Sequence, residues 1–198
     1  MSKRLFDLVA ASLGLILLAP ALLLAALWIR CDSAGPVFYR QQRVGRGGAL
    51  FWIIKFRTMH VRADASSQLT VGRDPRVTRA GRFLRTYKID ELPQLLNVLA
   101  GSMSLVGPRP EVPRYVACYP EALRQEVLSV APGITDWASI EYRCENTILG
   151  EAADPEQAYI DEVLPAKLIF YQRYVREHNF WLDLRILGGT IAALMRMR

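Results

Sequence analysis

Leu8 to Ile29 reads LVAASLGLILLAPALLLAALWI, 22 residues without one charged side chain. As a straight helix it would reach about 33 Å, enough for a bilayer core of about 30 Å. A removable secretory signal does not fit, because the run is too long and Asp7 sits in its basic lead-in. A lipoprotein signal ending at Cys31 is opposed by Arg30 directly before that cysteine. Pro20, in the middle, has no N–H for the carbonyl of Ile16, and its ring crowds the preceding turn, so a kink is expected. Both flanks are basic: Lys3 and Arg4 before the run, Arg30, Arg40, Arg43 and Arg46 after it. A spanning helix would leave one basic flank on the unfavoured side. A helix that enters, breaks near Ala19–Pro20 and returns would keep both flanks cytoplasmic, with Ser12 a candidate partner for the freed carbonyls. The run alone leaves both forms open.

The remaining chain suits one domain large enough for a real core. The net charge of +6 is unevenly spread. Residues 1–110 carry 16 Lys and Arg against 6 Asp and Glu, a net of +10, while residues 111–198 are acidic by 4. Such a field attracts phosphates, nucleic acid or anionic lipid, although a solvated basic face has the same composition. Cys31, Cys118 and Cys144 are odd in number and form no CxxC, which argues against a disulfide framework or a zinc site. His60 and His178 stand far apart with no ligand-like neighbours, and neither receives a role.

GPVFYRQQRVGRGGALFWIIKFRTM alternates strand formers around Gly45–Gly48 and reads as a hairpin. SSQLTVGRDPRVTRAGRFLRTYK reads as a polar, basic loop entering a short helix. DELPQLLNVLAG reads as a helix, with Asp90 as N-cap, Pro93 in the first turn and Gly101 as the stop. Residues 120–130 and 154–178 have amphipathic helical spacing. The tail FWLDLRILGGTIAALMRMR suits either a membrane surface or a core-packed helix.

Asp90 and Glu91 are adjacent carboxylates, which a helix start would explain without chemistry. SLVGPRP holds Arg109 between Pro108 and Pro110, so the guanidinium is presented from a stiff backbone, suited to a two-pronged phosphate contact. Lys55 and Arg57 follow an apolar segment, and Arg79, Arg82 and Arg85 recur at three-residue spacing, expected to share one helix face. Basic groups that bind phosphates, beside a carboxylate that attacks phosphorus or holds a metal, make an inventory for phosphoryl transfer. Neither a P-loop nor GxGxxG is present.

These motifs together resemble the bacterial sugar transferases, the monotopic phosphoglycosyl transferases. The likeness starts at KRLFD, runs through GPVFYRQQRVGRGGALFWIIKFRTM, DPRVTRAGRFLRTYKIDELPQLLNVLAGSMSLVGPRP and PGITDWASI, and ends near FWLDLRIL. It implies an α+β fold with a re-entrant membrane helix broken at Pro20, a small β-hairpin region and several amphipathic and interfacial helices. Residues 1–30 would be the membrane helix and 31–198 the catalytic domain on the cytoplasmic face of the bacterial inner membrane. The resemblance also implies the reaction: a sugar 1-phosphate passes from a UDP-sugar to polyprenyl phosphate, releasing UMP, through a phosphosugar–aspartyl adduct on Asp90. Mg²⁺ is the implied cofactor, with Asp90 and Glu91 as candidate ligands and Glu91 an aid to metal or proton. Lys55, Arg85 and Arg109 are the implied phosphate-binding residues. The implied partners are UDP-sugar, polyprenyl phosphate and membrane lipid, not nucleic acid, and a homo-oligomer is left open. GITDW places Asp136 where many members have Gly, which bears on the substrate contact rather than the reaction.

The competing reading is a membrane-anchored basic module that binds anionic lipid or nucleic acid without catalysis. It accounts for Phe38, Tyr39, Phe51 and Trp52 among the basic residues. It gives no reason for the adjacent carboxylates or for GPRP. A metal-dependent lipid phosphatase is a further alternative, and would release inorganic phosphate without needing a nucleotide.

Overall fold

A computed structural model describes residues 3–61, 74–142 and 149–196. The uncharged run lies in α1 (Lys3–Asp32), a single helix with Pro20 inside it. Among the described residues it is the one helix long and apolar enough to cross a membrane. Leu13, Ile16, Leu17, Leu23, Leu24 and Leu27 along it are all exposed. Both of its ends are tied to the rest of the chain. Arg4 donates to the carbonyls of Val98 (2.6 Å) and Leu99 (2.9 Å). Buried Asp7 accepts from Ser104 Oγ (2.8 Å) and the Leu105 amide (3.2 Å). At the far end, Asp32 accepts from the Ala80 amide at 2.9 Å.

The expected hairpin is present as β1 (Phe38–Val44) and β2 (Leu50–Phe56), antiparallel, with Tyr39 opposite Lys55. A short 3-10 turn at Arg46–Gly48 joins them. The loop expected before the next helix falls largely outside the described residues. α2 (Arg79–Thr86) then starts where Thr78 caps the Gly81 amide at 2.9 Å.

DELPQLLNVLAG departs from a single helix. Ile89–Gln94 is a 3-10 turn, and α3 (Leu95–Ala100) follows, ended by Gly101 at φ +86°. Asp90 is not the N-cap. That position belongs to Lys88, at φ 55°, without a side-chain cap. The tighter 3-10 winding turns Asp90 into the protein rather than back onto the backbone.

The second strand pair, β3 (Ser104–Val106) and β4 (Gly133–Thr135), is parallel and mostly buried. The chains leaving it stay zipped: Gly107 donates to Thr135 O (3.1 Å) and Gly133 to Pro108 O (3.0 Å). A Cβ on Gly133 would lie 2.1 Å from the Gly107 nitrogen, so only glycine permits this approach. The helical remainder is α4 (Pro113–Val116), α5 (Glu121–Val127), α6 (Trp137–Glu141), α7 (Pro155–Ala158), α8 (Leu164–Glu177) and α9 (Phe180–Met195). One π turn, Tyr159–Val163, links α7 to α8.

Three apolar clusters hold these parts together. One gathers Tyr115, Tyr119, Val127, Leu164, Leu168 and Tyr171. A second joins Ala11 of α1 to Ile53, Val98, Met103, Val106, Tyr174 and Ile186. A third joins Ala25 and Ile29, in the other half of α1, to Phe56 and Leu84. In the tail helix α9, Asp183 and Ile186 are buried, while Trp181, Ile191 and Met195 are exposed.

Asn97 links α3 to the hairpin. Its Oδ1 accepts from the Ile54 amide (3.0 Å) and its Nδ2 donates to Trp52 O (2.8 Å), as a neighbouring strand would do. Asn97→Leu keeps similar volume but strips both contacts from β2. It should lower unfolding stability by about 1–3 kcal/mol, measured by denaturant titration in detergent.

Candidate active site

The 3-10 turn, β2 and the turn after β3 meet at the two carboxylates. Lys55, at the end of β2, donates to Glu91 Oε1 at 3.1 Å. Arg109 grips the same carboxylate as a fork: Nη1 to Oε2 at 3.0 Å, and Nη2 to Oε1. The Pro108–Pro110 frame therefore aims the guanidinium inward at Glu91 rather than leaving it open to solvent. Arg85, from α2, donates from Nε to Thr58 Oγ1 at 2.8 Å. Its charge is felt at Asp90, so the structure brings Asp90, Glu91, Lys55, Arg85 and Arg109 into one neighbourhood.

The two carboxylates differ in kind. Asp90 is 8 % exposed, and its Oδ1 is buried without a hydrogen-bond partner. Burial first, and the charge of Glu91 second, push its carboxyl up to about 6 from 3.8, against the pull of Lys55, Lys88 and Arg85. Burial would raise Glu91 as well, but Arg109 and Lys55 hold it well below the ordinary carboxylate range. Glu91 in turn holds the Arg109 guanidinium well above its usual value, against the effect of burial. Burial pulls the Lys55 ammonium down, while Glu91 restores part of the fall. The pair thus offers one carboxylate with both oxygens paired to cations and one under-coordinated oxygen.

The other basic candidates lie elsewhere. Arg57 is buried and donates to Ser33 O (2.8 Å) and Ala34 O, tying β2 to the chain leaving α1. Arg79 and Arg82 are exposed, and only Arg85 of that series turns inward. Three-residue steps advance about 300° each on an α-helix, so positions 79 and 85 face different ways. His60 and His178 are exposed. Cys31 and Cys118 are free thiols at the surface, and Cys144 lies outside the described residues.

Sequence reasoning missed several supporting groups. Asn97 was legible only as an amide in an otherwise apolar helix. Thr58, which holds Arg85, carried no signal at all. Gln94, on the same 3-10 turn as Asp90, is buried with an unpartnered Nε2. Asp136 is almost fully buried and caps α6, accepting from the Ser139 amide at 2.6 Å. Burial pushes its carboxyl up, while Ser139, Arg109 and Lys167 pull it down. The parallel register sets Asp136 at the exit of β4 beside the turn that carries Arg109.

A carboxylate pair flanked by cations thus sits on a body that carries a membrane-length apolar helix. The sequence matches the bacterial sugar transferase family over residues 1–197, and the chain belongs to that family. It is 43% identical to the UDP-glucose:undecaprenyl-phosphate glucose-1-phosphate transferase of Caulobacter vibrioides, over 98% of this chain and 69% of that protein. It is also 43% identical to the undecaprenyl-phosphate glucose phosphotransferase of Komagataeibacter xylinus, over 96% of this chain and 35% of that protein. Against the UDP-N-acetylgalactosamine-undecaprenyl-phosphate N-acetylgalactosaminephosphotransferase of Aeromonas hydrophila the identity is 37%, over 98% of this chain and 43% of that protein. The chain thus spans less than half the length of the last two.

Asp90 also has a consequence for stability. Its folded pKa, about 6, lies above the ordinary 3.8, so the folded state favours the protonated form. The stability this provides is complete below 3.8 and is lost as pH rises through about 6. Asp90→Asn removes that cost without removing a cap. It should raise the Tm at neutral pH, by at most about 3 kcal/mol in stability terms, with the gain shrinking as the medium is acidified. Thermal scans of both proteins across pH check this.

Proposed function

We propose that this chain transfers a sugar 1-phosphate from a UDP-sugar to polyprenyl phosphate, with Asp90 as the attacking carboxylate. The observation that carries the reading is the asymmetry of the pair: Glu91 is held by Lys55 and Arg109, while Asp90 Oδ1 is unpartnered. The names of the family relatives support the same substrates. In the first step an Asp90 oxygen attacks the β-phosphorus of the donor, the P–O bond to UMP breaks, and UMP leaves with its electron pair. In the second step a phosphate oxygen of the acceptor attacks the phosphorus of the adduct, and the bond to Asp90 breaks. The carboxylate is regenerated and polyprenyl-diphosphate-sugar departs. Splitting the transfer in this way replaces one difficult displacement by two.

Lys55, Arg85 and Arg109 surround the phosphates. The guanidinium of Arg109 has donors beyond the two given to Glu91, so it can hold the carboxylate and a phosphate oxygen together. Glu91 keeps those cations oriented before substrate arrives. The residues fit a Mg²⁺ ion: an orphaned carboxylate oxygen lies next to a second carboxylate, and this metal commonly takes one or two carboxylates plus water and substrate phosphates. Asp90 and Glu91 would hold it, and it would supply charge neutralisation on the diphosphate.

The segment of residues 1–30 is read here as a re-entrant membrane helix, with residues 31–198 as the catalytic domain at the cytoplasmic face. Arg4 and Asp7 at one end, and Ile29 and Asp32 at the other, are held by the same body, which supports a chain that returns to the side it left. The basic flanks and Pro20 point the same way.

With UDP-sugar, Mg²⁺ and no acceptor, the protein should retain a phosphosugar that hydroxylamine strips, with UMP not exceeding the enzyme. Adduct formation should rise with pH through about 6, where Asp90 ionises. Asp90→Asn should fold and form no adduct, and an adduct on Glu91 instead would reassign the nucleophile. Arg109→Ala should cut transfer by about 1.5–3 kcal/mol in activation terms, and Arg109→Lys should recover only part, since it lacks the planar fork. For topology, cysteines placed at positions 2 and 34, in a variant lacking the native three, should both resist an impermeant reagent in intact cells. Labelling at position 2 alone would establish a span instead.

A further inference from the structure

The transfer proposed above needs a water-insoluble acceptor to reach a buried carboxylate. Three aromatic rings run from α1 to Tyr87, three residues before that carboxylate in the chain. Trp28 of α1 lies 5.3 Å from Phe83 of α2, and Phe83 lies 4.7 Å from Tyr87, centroid to centroid. All three remain exposed, at 42, 44 and 48 %. On α1 the line continues through Leu24, Ala21 and Leu17, each exposed and set at helical spacing below Trp28. At its other end comes Lys88, then Ile89, then Asp90. Ile89 packs into the cluster built by Ala25 and Ile29, so the carboxylate is one residue away from a contact with the membrane helix.

Lys88 itself is unusual. It is the single non-glycine residue at positive φ (55°) among the described residues, a conformation that costs free energy for a residue with a side chain. Its ammonium is exposed and makes no ion pair among the described residues. The backbone is thus bent, at some cost, at an exposed cation whose charge reaches Asp90 and Glu91 without a hydrogen-bonded ion pair among the described residues. Lys55 and Arg109, by contrast, are already committed to Glu91.

We propose that the Trp28–Phe83–Tyr87 ladder and Lys88 form the acceptor lane: the isoprenoid chain lies on the rings and its phosphate meets Lys88 beside Asp90. The chemistry of the lane matches both ends of one molecule, apolar where it adjoins the membrane helix and cationic where it adjoins the nucleophile. It also separates the two substrates. The donor diphosphate takes the inner cations, and the acceptor phosphate takes the outer one. This assignment rests on the transfer reaction, but it makes a claim about the second step alone.

The test reads the two half-reactions separately in the full-length protein in detergent. The first is the UMP burst with UDP-sugar alone. The second is turnover against two acceptors: a long polyprenyl phosphate, and an isoprenyl phosphate of a single unit, too short to reach Trp28. Trp28→Ala should raise KM for the long acceptor about tenfold and leave that for the short one in place. Lys88→Gln should raise KM for both, since both carry the phosphate, and Lys88→Arg should restore most of it. Phe83→Leu, which keeps apolar bulk, should fall between the parent and Phe83→Ala for the long acceptor. Unchanged acceptor KM in all variants would overturn the lane and leave the rings as contacts for bulk lipid. A burst lost together with acceptor use would also overturn it, by moving these residues to the donor site. Absence of a burst in the parent protein would instead sink the transfer mechanism on which the lane depends.

Discussion

Glu91 is held on both oxygens, by Lys55 from one element and Arg109 from another, and the arrangement of the site follows from that contact. A charged carboxylate removed from water needs such partners, because losing one partner of a buried pair typically costs about 3–5 kcal/mol. Meeting that demand draws β2 and the turn after β3 towards the 3-10 turn. Asn97 then fastens β2 to the following helix, and the glycine pair at 107 and 133 fastens the Arg109 turn to β4. Once those cations are oriented on Glu91, Asp90 beside it is left buried, under-coordinated and hard to ionise. A destabilised group of this kind is what a nucleophile needs, since reaction with phosphorus relieves the same burial that disfavoured its charge.

The long apolar helix α1 belongs to the same construction. Ala11 enters the cluster that contains Val98 and Met103, and Ala25 and Ile29 enter the one that contains Phe56 and Leu84. The 3-10 turn and its carboxylates therefore lie between two regions in which α1 is anchored, while Leu13, Leu17, Leu23 and Leu24 between those regions stay exposed. Small residues make the anchoring possible: Ala11 and Ala25 let the helix approach closely, where a leucine would hold it away. A buried Asp7 at its start completes the attachment through Ser104 and Leu105. The turn that carries Asp90 and Glu91 is thus fixed relative to α1 by packing as well as by hydrogen bonds.

Much of this was legible beforehand, for identifiable reasons. Strand alternation around Gly45–Gly48 specified the hairpin, because period-two patterning and turn glycines are local properties. The apolar run announced itself by length alone. GPRP signalled a stiff arginine because proline restricts its own φ and its neighbour's. Local rules also misled. Asp90 has the chemistry of an N-cap and precedes a helical run, yet Lys88 occupies that position in a left-handed conformation and the turn is 3-10. The spacing of Arg79, Arg82 and Arg85 suggested a shared face, but only Arg85 turns to Thr58.

The amino-acid sequence by itself determined which groups were available: an uncharged run with a central proline, two neighbouring carboxylates, a proline-framed arginine and a surplus of basic residues. Each follows from composition or from spacing within a few residues. The division of labour between Asp90 and Glu91 was decided only by tertiary structure, since the two differ in burial and partners rather than in their immediate neighbours. Lys55 is 36 positions before Glu91 and Arg109 is 18 after it, and no local pattern states that both reach Glu91 while neither hydrogen-bonds Asp90 Oδ1. The fold makes that choice because a buried charge must find its counter-charge wherever the chain can bring it.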